Sequence, residues 1–230
     1  MIERHPFAAL PAVNHRGIKS HFHFVPAGSG FGPASSLGPL IAWNDDELAP
    51  VSGFPEHPHV DADIVTYVRE GAIVHEDTLG NKGSAGPGEV QAMSAGSGIR
   101  HSERNDEAVP VKLFQLWFTP RNPGGAARWG MSKLPDGTTG FVALASGDPA
   151  DTSAVQINSD ARVLAARLAA GQMLVHPMSA AGKGYLVPTD AAIAVNGTTI
   201  AALDGCLVSG ETALTIRADA ATEVVFVELI

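Results

Sequence analysis

The sequence predicts an all-β protein built from two tandem barrels of one kind, and three observations predict it. Gly (25) and Pro (16) together exceed a sixth of the 230 residues, which favours many tight turns over long helices. Short runs of β-branched and aromatic residues recur between turn signals, and no segment holds a 3.6-residue apolar period over three turns. The order of runs in the first half recurs in the second, the mark of an internal repeat. Residues 1–125 are expected to form the first barrel and 156–230 the second. Residues 126–155 are expected to link them, with a short helix around Ala126 to Met131.

Ile64-Val65-Thr66-Tyr67-Val68 is the first strong run, closed by Glu70-Gly71, and Ala72-Ile73-Val74-His75 follows as a hairpin partner. Leu79-Gly80-Asn81-Lys82-Gly83 is a glycine-punctuated loop. In Gly86-Pro87-Gly88-Glu89, Pro presets φ and Gly supplies positive φ, giving a turn before the strand Val90 to Met93. Val111 to Phe118 is long and mostly apolar, as a central strand buried on both faces should be. In the second half, Tyr185 to Val187 and Ala191 to Val195 lead into Asn196-Gly197, the strongest short hairpin signal. Thr198 to Leu203 returns, and Thr212 to Arg217 and Val224 to Val227 complete the set. Closing each set into a barrel removes exposed sheet edges.

Composition excludes several functions. Lys+Arg is 15 against Asp+Glu 24, a net charge of -9, and the basic residues form no stripe. Direct nucleic-acid binding and docking to an anionic membrane both need a positive footprint, so neither is expected. No run of about 18 apolar residues is present, so no spanning helix is expected. The single Cys206 excludes an internal disulfide and any multi-cysteine metal site. The start, MIERHPFAAL, lacks the apolar core of a secretory signal, and the expected compartment is the cytoplasm.

The histidines carry the chemistry. His57 and His59 are i and i+2, so on a strand they project to one face; His101 and Glu103 repeat that spacing. If both faces point into one barrel, three imidazoles and a carboxylate converge. That donor set suits Fe, Mn, Ni, Cu or Zn and not Ca or Mg. A pair of histidines at this spacing is a weak signal alone. Its combination with a later His-x-Glu, each flanked by glycine turns and β-runs, is much stronger. In the second half His176-Pro177-Met178 echoes His57-Pro58-His59, with Met178 in place of the second histidine. Val208-Ser209-Gly210-Glu211 stands where the first half has His-Ser-Glu, so the second barrel is expected to be structural and metal-free. His5, His15, His21, His23 and His75 are read as solvated or satisfied in the core, and Cys206 as a small hydrophobe.

The stretch from Phe54 to Asn105 resembles the pirin family of the cupin superfamily, in its bacterial pirin-like and quercetin 2,3-dioxygenase-like members. His57-Pro58-His59, Ile64 to Val68 with Glu70-Gly71, and His75 with Asp77 carry the likeness. So do Leu79-Gly80-Asn81, Gly86-Pro87-Gly88, Met93 to Ile99 leading into His101-Ser102-Glu103, and Gln115-Leu116-Trp117. The resemblance implies a bicupin: two tandem double-stranded β-helix (jelly-roll) barrels, with one metal in the first. Its ligand positions fall on His57, His59, His101 and Glu103. Iron(II) is the usual ion, with Mn, Ni, Cu or Zn accepted. It also implies a flat aromatic substrate, a flavonol such as quercetin or a related enol, with dioxygen as co-substrate. Glu103 would take the proton of the 3-hydroxyl; dioxygen adds across the ring, the heterocycle opens and carbon monoxide leaves. The alternative the family offers is a non-enzymatic metal-binding regulator that acts through protein contacts.

The chain departs from the family after His-Pro-His. The family usually continues with Arg, whereas Val60-Asp61-Ala62-Asp63 stands here. Loss of the Arg removes a fixed charge and a five-donor fork, and the pocket near the metal is expected to be more apolar. Asp63 stands where other cupins use a Glu ligand. It is one methylene shorter and ranks below Glu103 as a ligand, either as a group that fixes a histidine or as a surface acid.

Overall fold

The computed structural model describes residues 1–230. β1 (Ile2–His5) is followed by one 3-10 turn (Phe7–Ala9), then β2 (Ala12–His15), β3 (Ile18–Phe24), β4 (Leu40–Leu48) and β5 (Ser52–His59). β6 (Asp63–Glu70), β7 (Ile73–Asp77), β8 (Lys82–Ala85), β9 (Glu89–Ser94), β10 (Ile99–Asn105), β11 (Val111–Phe118) and β12 (Arg128–Lys133) complete the first set. The chain continues through β13 (Val142–Ser146), β14 (Val155–Gln156), β15 (Ala161–Leu168), β16 (Met173–Pro177), β17 (Lys183–Pro188) and β18 (Ile193–Val195). β19 (Thr198–Ile200), β20 (Gly205–Ser209), β21 (Ala213–Ala218) and β22 (Thr222–Leu229) end it. There is no α-helix, and no helix is long and apolar enough to cross a membrane.

The first unit comprises residues 11–133 and 155–159, the second residues 1–10, 134–154 and 160–230. In the first, one sheet runs β12-β9-β6-β11-β4-β3-β2 and the other β5-β10-β7-β8. In the second, one sheet contains β1-β20-β17-β22-β15-β13 in that order and the other is β16-β21-β18-β19. Each unit is therefore the expected pair of sheets. Central strands are apolar on both faces because both faces are covered: β6 and β11 are buried almost throughout. Asn196 (φ 45) and Gly197 (φ 83) make the expected tight hairpin between β18 and β19. Cys206 lies in the apolar core of the second unit, where burial pushes its thiol up to about 12 and leaves it unreactive at neutral pH.

Two expectations need correction. Residues 126–131 hold no helix: Arg128–Lys133 is β12, paired with β9 from Arg128↔Ser94 to Lys133↔Glu89. A six-residue helix has little stability of its own, and the open edge of β9 satisfies this backbone instead. The first ten residues do not join the first barrel. β1 pairs with β20 from Ile2↔Val208 to His5↔Gly205, and Arg4 Nε donates to Asp204 Oδ2 at 2.5 Å. β1 thus closes the sheet of the second unit at the place β12 holds in the first.

Candidate metal centre

β5 and β10 are neighbours in the smaller sheet of the first unit, and their register sets His101 opposite His57. The i, i+2 spacing then brings His59 to the same face. Ring centroids lie 4.7 Å apart for His57–His59, 4.6 Å for His57–His101 and 5.0 Å for His59–His101. One ring nitrogen from each of the three falls within 4.8 Å of the others, a spacing that one metal ion can bridge. The pairing slips between His101 and Glu103, so that Glu103 faces Phe54. Gly53 permits this: a Cβ there would lie 2.3 Å from the Glu103 carbonyl oxygen and 2.8 Å from Arg104 Cα.

The ring nitrogens are set up to ligate. Pro55 O lies 2.8 Å from His57 Nδ1 and accepts its proton, leaving Nε2 with a lone pair. His59 Nε2 and His101 Nε2 are buried without a hydrogen-bond partner. Burial, then the neighbouring His57, lowers His59 to about 4; burial, then His57, His59 and His75, lowers His101 to about 3. Both are neutral at pH 7, the form that binds metal. Orphaned lone pairs on clustered neutral imidazoles fit a divalent transition metal.

Glu103 lies outside the cluster of three. It is buried, with Oε1 accepting from Thr66 Oγ1 (2.9 Å) and Gln91 Nε2 (2.6 Å) and Oε2 from Gln115 Nε2 (2.6 Å). Oε2 has a single donor, so it keeps a lone pair for a metal or a proton. Trp117 Nε1 donates to Gln115 Oε1 at 3.0 Å, which fixes the amide, and the Trp117 ring stands edge-on to His59 at 5.1 Å.

The sequence reading missed the role of His75 and Asp77 on β7, the strand on the other side of β10. His75 Nε2 lies 3.1 Å from Asp77 Oδ2, and its Nδ1 lies 3.4 Å from His101 Nδ1. A carboxylate only accepts, so His75 carries its proton on Nε2 and accepts at Nδ1 from His101. This again leaves His101 Nε2 with its lone pair. Burial works to raise Asp77, but hydrogen bonds from Asn81, His75 and Leu79 outweigh it and hold the carboxyl below its usual value. Trp129 stacks on His75 at 5.0 Å, close enough over Gly83 that a Cβ there would meet the indole at 2.3 Å. The signal was in the sequence: His75-x-Asp77 has the same i, i+2 spacing as the pairs that were singled out.

Two other expected positions fall elsewhere. Asp63 is no surface acid and touches no histidine; it is buried, and Oδ2 accepts from Asn158 N (2.7 Å) and Ser159 Oγ (2.6 Å). Val60 is 60% exposed and does not line the cavity beside the histidines, so the expected apolar shift of the pocket at this position is not found. That cavity, of about 560 Å³, has His57, Gln115, Phe22, Phe31, Phe54 and Trp117 in its wall. Its size and mostly apolar lining suit a small organic molecule. In the second unit His176 faces Leu214 across β16–β21, so Leu214-Thr215-Ile216 is the counterpart of His-Ser-Glu and the stretch 208–211 is not.

A family model described as Pirin matches residues 8–118, and one described as quercetinase C-terminal cupin domain matches residues 143–229. A pirin-like protein of Caulobacter vibrioides is 46% identical over 231 residues, 99% of each chain. The quercetin 2,3-dioxygenase of Escherichia coli K12 is 34% identical over 227 residues, 96% of this chain and 97% of that one. The crystal structure of YhhW from Escherichia coli matches with a TM-score of 0.91 at 31% identity, covering 100% of this chain and 98% of that one. Bacterial pirin YhhW in complex with nickel(II) matches at 0.90 and 30%, covering 100% and 99%. The histidine triad and the nickel-bound relative together support a divalent metal in a two-barrel cupin.

Proposed function

The chain belongs to the pirin family, and from that premise we propose that it is a metal-dependent dioxygenase acting on flavonols such as quercetin or on a related enolic aromatic. The observation that carries the reading is the cluster of three histidines, of which His57 lines a large, mostly apolar cavity, with Glu103 two residues after His101 on β10. A cavity of this size and lining beside the histidines supports the enzyme over the regulator, since it suits a small organic ligand.

His57, His59 and His101 would hold the metal, with Glu103 Oε2 as the carboxylate donor, and iron(II) is the proposed working ion. When bound, the metal supplies Lewis acidity toward an enolic hydroxyl. The side chains do the rest. Phe22, Phe54 and Trp117 present aromatic surface to a flat ligand and exclude water from it. Glu103 accepts the hydroxyl proton, and Gln115, held by Trp117, keeps the carboxylate aimed. Oxygen uptake by the iron-loaded protein against a panel of flavonols and simpler enols tests the proposal. Substrate-dependent uptake that vanishes in His101→Ala is the expected result; no uptake with any enol at full metal occupancy would overturn it.

A further inference from the structure

A second cavity, of about 240 Å³, lies within the first unit and shares no lining residue with the one beside the histidines. Strand register builds its floor. In the order β12-β9-β6, Arg128 stands opposite Ser94 and Ser94 opposite Asp63, and directly opposed residues share a face. All three line the cavity. That face looks away from the histidine cluster. Thr66 and Gln91, three residues from Asp63 and Ser94, point the other way to Glu103, and Trp129, next to Arg128, stacks on His75. The segment 120–126 forms the roof and is tied down. Gly124 N donates to Asp61 Oδ1 at 2.5 Å and Ser97 N to Gly125 O at 2.9 Å. Gly96 permits the close approach, since a Cβ there would lie 2.5 Å from Gly125 O. The cavity is therefore preformed, and it offers many times the ~10–15 Å³ that one water needs.

Its polar groups are left open. Asp63 is 1% exposed and Ser94 6%, yet Asp63 Oδ1 and Ser94 Oγ have no hydrogen-bond partner. Asn158 N and Ser159 Oγ donate to Asp63 Oδ2, which fixes the carboxyl and leaves Oδ1 for a ligand. Arg128 Nε donates to Gln156 O at 3.2 Å, which leaves the terminal nitrogens of the fork. Buried groups of this kind are costly unless something fills the cavity and bonds to them. Asp63 and Arg128 are the charged residues of the wall. Two strand spacings, ~9–10 Å between backbones, hold them apart with Ser94 between. A lone cation would face the guanidinium, and a lone anion would face the buried carboxyl. A ligand that carries both charges a few bonds apart satisfies both ends. We propose that this cavity binds a small α-amino acid. The ammonium donates to Asp63 Oδ1 and Ser94 Oγ, and the carboxylate accepts from the Arg128 fork. Pro120 and Pro123 give a short side chain apolar surface.

Calorimetric titration of the nickel-loaded full chain with L-alanine and with its two halves, ethylamine and propionate, tests the proposal. Alanine should bind about 10-fold or more tighter than either half, because each half lacks one charge-assisted contact. Arg128→Gln should cut alanine affinity by about 10-fold or more and should not weaken ethylamine. Ser94→Ala should weaken alanine and ethylamine alike. Asp63 also holds Asn158 and Ser159, so these two variants carry the test in place of Asp63→Asn. Alanine binding should persist in His101→Ala, since the cavity is separate from the metal centre. Binding that is lost in His101→Ala and unchanged in Arg128→Gln would be chelation of nickel and overturns the proposal. Equal affinity for the three probes overturns it too, as does the absence of any heat with alanine, which would mean that water alone fills the cavity.

Discussion

The two barrels are built on one plan, and one strand pair separates them. In the first, β5 and β10 set His57 opposite His101; in the second, β16 and β21 set His176 opposite Leu214. Met178 stands where His59 does, and it packs with Leu214 against the apolar core. His176 Nε2 lies 3.5 Å from a Glu228 oxygen and, like His59 Nε2 and His101 Nε2, has no hydrogen-bond partner; what the second barrel lacks is the two further imidazoles beside it. The same sheet geometry thus carries either a ligand set or a core. What decides is a handful of inward positions on two strands, and the fold is indifferent to which it receives. The first barrel is therefore expected to fold without its metal, as the second does without a ligand set.

Substitutions at the site should break that contrast or sharpen it. The largest effect is expected for His101→Ala, which makes the first barrel resemble the second. Metal binding should fall by more than ~100-fold, since even outer partners of ligands are worth about 10–100-fold. Far-UV circular dichroism should be unchanged; a room-temperature loss of β structure would show the metal to be structural. Next is Glu103→Gln, which keeps the shape and removes the base. Turnover of a flavonol should drop by about 10²–10⁴-fold with the metal retained, as measured by oxygen uptake and metal analysis. Asp77→Asn is milder. It removes the charge that fixes the His75 tautomer, and metal affinity should weaken by about 10–100-fold in a competition titration, without loss of fold.

The smallest effect is the pH response of the metal-free chain. His59 and His101 have folded values of about 4 and about 3, below the 6.5 expected of an unfolded histidine. At pH 7 both states are neutral and nothing is lost. As pH falls below 6.5 the unfolded chain takes up protons that the native one refuses, so stability declines toward about pH 4. A thermal-melting series on metal-free protein should show this decline, and His101→Ala should show a shallower one. Identical slopes would mean that His101 is not the buried neutral group described.

Much of this contrast was legible in the sequence, because period-2 spacing fixes which side chains share a face. His57-x-His59 and His101-x-Glu103 met on adjacent strands for that reason, and Asn196-Gly197 turned as its φ preferences require. Long-range pairing was not legible. Nothing local in Ile2–His5 says that it will pair with β20, and Arg128–Lys133 is a strand only because β9 offers an edge. Glu211 looked like the second barrel's counterpart of Glu103 by distance along the chain, whereas register places Ile216 nearer that role.

The most direct test of the account is a nickel titration of the metal-free chain, followed by X-ray absorption at the nickel edge. The account predicts one equivalent per chain, an absorption pattern with three imidazole ligands, and loss of that pattern in His57→Ala, His59→Ala and His101→Ala alike. Two equivalents of equal strength, or a nickel environment unchanged by removal of these histidines, would contradict it.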